Sequence, residues 1–224
     1  MREFKIPNIN LNFFVGINQV KITLDRIVKP IKIESEQRAL NYFFEIINNI
    51  QKKYKNSLVQ FIKENYILNE DHIFTACYYV EKAFLQKINI SNKKNIELFL
   101  YLAANRQINK SIDGFGIDVS DLNKKKLTLC IISPKNNLNK IYDELSRVLS
   151  IEEVKLTLND QTNTKINLIK NYFKLSDNQI NTVQKSYRSS PSNLSSSLNS
   201  TISAIYDLIC EKMALLYVEK GRNF

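Results

Sequence analysis

Catalysis needs groups that titrate, attack or coordinate, and this chain of 224 residues offers few. Its one histidine, His72, stands beside Glu70 and Asp71 in the first turn of a helical pattern. No Ser or Cys near it carries a nucleophile signature, so no Ser-His-Asp or Cys-His arrangement forms and a surface histidine is expected. Cys77, Cys130 and Cys210 are widely spaced, odd in number and set in apolar-periodic stretches. They give no zinc-ligand pair and read as buried, reduced thiols. Asp113, Asp118 and Asp121 flank the turn "GFGID" (Gly114 to Asp118). Paired carboxylates can bind a metal or move protons, but turn and helix-end solvation is the stronger reading. No Walker A, dinucleotide or kinase signature occurs. The expectation is a binding or regulatory protein with no catalytic residue, metal or cofactor.

Binding residues are easier to find. Net charge is +10, which points to a polyanion or an acidic protein surface, although an AT-rich codon bias toward Lys, Asn and Ile gives the same sign. The cations cluster: Lys52, Lys53 and Lys55; Lys87, Lys93 and Lys94; Arg106 and Lys110; Lys124 to Lys126; Lys185 and Arg188 around Tyr187. Such groups can neutralise phosphates, or they can be the solvated helix ends that favour Lys in any protein. The abrupt stretch is "LYLAANRQIN". Leu98 to Ala104 are all apolar, and Asn105, Arg106 and Gln107 follow with no Gly or Pro to end a helix. A guanidinium cannot shed its charge, so Arg106 must meet solvent, a phosphate or an acid. Either it contributes to an RNA site or it pairs internally with an acid such as Asp113.

These residues need elements to hold them. Hydrophobic content of 44% and charged content of 24% match soluble globular proteins and exclude wholesale disorder. No apolar run approaches the ~20 residues of a bilayer span, and "MREFKIPNIN" lacks a signal-peptide core. An intracellular, cytoplasmic protein is expected. Strands are predicted at Phe13 to Ile17, through Val20, Ile22 and Leu24, at an edge from Val28 to Ile33, at Leu58 to Ile62, at Leu127 to Ser133 and through Val154, Leu156 and Leu158. Helical spacing appears at Leu40 to Ile50, then from a cap at Asn69 through Ile88. A central helix runs from about Ser91 to Ile112, and another carries Leu138, Ile141 and Leu145. Ile166 to Phe173, a Ser176–Gln179 capping box, and about Ala204 to Glu219 complete the helices. Residues 189–203 are Ser-rich and read as a flexible insertion. The economical architecture is one domain over 1–224: a mixed α/β fold with a small, mostly antiparallel sheet flanked by helices and ending in a helix.

The segments "VQFIKENYILNEDHIFTACYYVEKAF", "ISNKKNIELFLYLAANRQINKSI", "IKNYFKLSDNQINTV" and "ICEKMALLYVEK" resemble, in order and spacing, the kinase-binding (PRPK-binding protein) subunit of the KEOPS complex, most closely its archaeal members. Arg106-Gln107-Ile108 is the most specific piece. The stretch from about Val20 to Glu36 and the Ser-rich segment depart from the family pattern. The resemblance implies a subunit without activity of its own in a multi-subunit complex. It would bind and stimulate the atypical KEOPS kinase/ATPase. It would recruit tRNA by its 3′ CCA end for threonylcarbamoyl adenosine modification. A stand-alone RNA-binding module is the alternative. The expected RNA contacts are Lys87, Lys93, Lys94, Asn105, Arg106 and Lys110. On the final helix, Ile209, Met213 and Leu216 are the expected kinase contacts if they are not ordinary core.

Overall fold

The computed structural model describes residues 1–22, 36–122, 126–188 and 197–221. The predicted edge strand at Val28 to Ile33 and most of the basic run before the central strand lie outside them. So do residues 189–196 of the Ser-rich segment. The chain divides into two compact units. The first comprises Met1–Glu64, Lys93–Asn95 and Phe115–Thr157; the second comprises Asn65–Asn92, Ile96–Gly114 and Leu158–Phe224.

The first unit holds the sheet: β1 (Arg2–Ile6), β2 (Leu11–Lys21), β3 (Leu58–Lys63), β4 (Leu127–Ser133) and β5 (Glu152–Val154). The order is β1-β2-β4-β3, every described pairing is antiparallel, and β5 shares with β1 one edge of β2. β4 is buried throughout, as its continuous apolar run requires. Helices α1 (Glu36–Lys53) and α5 (Leu138–Leu149) contribute Phe43, Ile47, Ile141 and Leu145 to a core shared with Phe61, Leu129 and Ile131 of the sheet. The fold is thus the mixed α/β arrangement expected, with an antiparallel sheet.

Two strand expectations need correction. β1 was not foreseen, because its side chains alternate little between core and water. The predicted strand through Leu158 stops at Val154. Beyond it, the Thr157 hydroxyl donates to the buried Gln19 amide oxygen at 3.2 Å, and Thr157 N–H donates to the same atom. A side chain replaces the ladder there. The Gln19 amide nitrogen donates in turn to Glu64 at 2.7 Å.

The second unit is helical: α2 (Glu70–Gln86), α3 (Lys94–Leu102), of which Ile96 onward belongs here, α4 (Ile108–Phe115), α6 (Asn163–Phe173), α7 (Asp177–Arg188) and α8 (Ser197–Gly221). Asn69 caps α2 as expected, its Oδ1 accepting from His72 N–H at 2.9 Å. The Ser176–Gln179 capping box opens α7, with Ser176 N–H donating to Gln179 Oε1 at 2.9 Å and Gln179 N–H donating to Ser176 Oγ at 3.2 Å. α8 packs against α2, α6 and α7. It begins at Ser197, so residues 197–203 of the predicted Ser-rich loop are helix. Ser and Thr are tolerated there because Gln184 donates to Ser200 Oγ at 3.0 Å and Thr201 Oγ1 at 2.9 Å.

Candidate nucleic-acid interface

The predicted central helix is two helices, and the break creates the site. α3 ends in a residue of left-handed conformation, Ala104, at φ 44°. Asn105 N–H donates to Leu100 O at 3.0 Å and Ala104 N–H to Tyr101 O at 2.9 Å, the paired bonds of a Schellman motif. Asn105 Oδ1 then accepts from Gln107 N–H at 2.8 Å, and Ser111 N–H donates to Gln107 O at 3.1 Å as α4 starts. Asn105 therefore faces its own backbone, turning the chain in under one helical turn.

The turn sets Arg106 on the rim of an open cleft of about 280 Å³, facing α8. Asn105 and Arg106 line one wall and Lys212, Leu215, Leu216 and Glu219 the other. The α8 residues recur at three- and four-residue intervals, which puts them on one helical face. Arg106 Nε lies 3.5 Å from Glu219 Oε2, and both side chains are exposed. The acid beside Arg106 is Glu219, in place of the expected Asp113. Lys212 and Glu219 carry no sequence signal of their own; they become site residues only because α8 lies opposite the turn.

The other expected RNA residues are dispersed. Lys87 is the left-handed residue that closes α2, with φ 58°, and it is exposed. Lys110 on α4 sits with Nζ 5.9 Å from the Tyr172 ring centre, while Tyr172 Oη donates to Lys110 O at 3.3 Å. Tyr172 stacks on Tyr66 at 4.1 Å. Neither lysine lines the cleft. Lys93 and Lys94 fall in the short segment that groups with the first unit and do not line the cleft either. Ile209, Met213 and Leu216 are buried in this chain, and of the three Leu216 still borders the cleft. The apolar side chains of α8 that meet water include Leu215 and Val218.

His72 is fully buried, not a surface residue. Nδ1 accepts from Leu68 N–H at 3.2 Å and Nε2 lies 3.0 Å from Leu102 O, which places the proton on Nε2. Burial pushes its pKa down to about 4. It pins the start of α2 to the end of α3, just before the turn that carries Arg106. The sequence hid this because a charged first turn looks solvated. In the first unit, Asp118 and Asp121 hold Lys63 at 2.9 and 3.2 Å and close a capping box. The hydrogen bond from the Ser120 side chain, then the Lys63 ammonium, keep Asp118 well below the usual carboxylate range. Among the described residues, no group of three His, Cys, Asp or Glu could hold a metal ion, and no helix is long and apolar enough to cross a membrane. Cys77 and Cys130 are buried free thiols, whereas Cys210 is half-buried, its thiol hydrogen-bonded to Tyr206 and Thr75.

The second unit of this α/β chain thus presents an exposed basic turn opposite its last helix. The model of the family described as kinase binding protein CGI-121 matches residues 40–217, most of the chain. The protein belongs to that family, the kinase-binding subunits of KEOPS. No curated protein matches the chain.

Proposed function

We propose that this protein is a non-catalytic KEOPS subunit that binds and stimulates the complex's kinase/ATPase and recruits tRNA by its 3′ CCA end. Family membership supports the kinase half. The observation that carries the RNA half is the cleft, where Arg106 and Lys212 line one concave surface beside the amide of Asn105. Two cations can take the phosphates of a single strand, and the exposed Gln107 amide can address the edge of a splayed base. The kinase contact on α8 falls to Val218, which reaches water and does not line the cleft.

The deciding experiment compares tRNA binding with and without the terminal CCA, alone and with the kinase present. The intact tRNA is expected to bind more tightly, and folded Arg106→Ala protein to lose at least tenfold. Equal affinity for the two tRNAs, or for wild type and Arg106→Ala, sinks the RNA role. Failure to co-purify with an atypical kinase would leave a stand-alone RNA module instead.

A further inference from the structure

We propose that Glu219 gates the cleft, a tethered carboxylate on Arg106 that an incoming ligand must displace. The inference rests on the RNA reading above and adds a residue and a rule to it. The cleft contains its own anion: Glu219 Oε2 lies 3.5 Å from Arg106 Nε, and both residues line the same wall-to-wall gap with Lys212. Both partners are exposed, at 39% and 60%, so the pair is weak and opens readily. It is still permanent competition. A carboxylate fixed by its helix one side chain away has an effective concentration on the order of millimolar. A lone phosphate or carboxylate gains one contact and must replace one, so it gains little. A polynucleotide end brings several phosphates; it engages Lys212 and Arg106 together and can stack or hydrogen-bond its bases as well. The pair therefore lowers every affinity for Arg106 by one common factor: a single anion is left with almost nothing, while a polyanion keeps its contacts to Lys212 and through its bases.

The test measures affinity for tRNA ending in CCA, and for AMP as a monophosphate probe, on five folded proteins: wild type, Glu219→Gln, Glu211→Gln, Arg106→Ala, and the Arg106→Ala/Glu219→Gln double variant. Glu211 is an exposed acid two turns earlier on α8 and controls for the unit change in net charge. Glu219→Gln is expected to tighten tRNA and AMP binding alike, by about two- to fivefold, the range of an exposed ion pair. Glu211→Gln is expected to do much less, and the gain is expected to vanish in the double variant. If Arg106→Ala weakens tRNA binding while Glu219→Gln merely matches Glu211→Gln, the gate is refuted and the RNA reading stands. A gain that survives in the double variant refutes it too. If Arg106→Ala binds tRNA as wild type does, the RNA reading and the gate fall together.

Discussion

His72 resists a second ring proton where it sits. Its folded pKa is lowered from 6.5 to about 4, so the unfolded chain takes up the proton first as pH falls. Its contribution is complete above about pH 6.5 and is lost progressively down to about pH 4. The difference corresponds to about 3 kcal/mol. Denaturant titrations at pH 7 and pH 4.5 should show the wild type losing more stability than His72→Asn. Parallel losses would remove the histidine from the account. Ala104 makes a second residue-scale prediction. A non-glycine residue in left-handed conformation costs about 1–2 kcal/mol, part of which glycine recovers after its own entropy is counted. Ala104→Gly is expected to raise stability by about 0.5–1 kcal/mol without moving the turn, measured by thermal unfolding. Gly114 behaves in the opposite sense. A methyl there would approach Tyr172 Cζ to 2.9 Å and its hydroxyl more closely. The ring is held by its stack on Tyr66, so Gly114→Ala is expected to cost about 1–3 kcal/mol in the same assay.

At the scale of elements, α8 separates packing from docking. Met213 is fully buried and Val218 is exposed. Met213→Glu places a charge in the core and should unfold the protein, while Val218→Glu should stay folded and lose co-elution with the kinase. Unimpaired co-elution of Val218→Glu would move the kinase contact off this face. The elements themselves were unevenly legible. β4 and the capped starts of α2 and α7 were plain, because an apolar run and a side-chain cap are local signals. The break between α3 and α4 was not, because the turn uses Ala104 where a glycine would have announced it. Lys87 and Lys174 end α2 and α6 in the same left-handed way. In a chain with only four glycines the usual punctuation is missing. Of the cleft, Asn105 and Arg106 were legible as an anomaly of composition. Lys212 and Glu219 were not, since their role exists only once α8 lies opposite the turn.

Across the whole molecule, charge sets how binding responds to solution conditions. With a net charge of +10, tRNA affinity should fall linearly in log–log form with salt, by a slope of about −0.7 per single-strand phosphate neutralised. Arg106→Ala should reduce that slope by just under one unit; an unchanged slope would mean that Arg106 touches no phosphate. The order of segments has its own consequence. The second unit is assembled from residues 65–92, 96–114 and 158–224, and α2 packs against α8. More than a hundred residues of chain are made between these two helices, so contact between them is long-range and slow to form. On the ribosome, the greasy side of α2 must wait uncovered until the final 25-residue helix emerges. A protein cut short before Ser197 would therefore keep that side bare for its whole life, and chaperone capture or aggregation would be its fate.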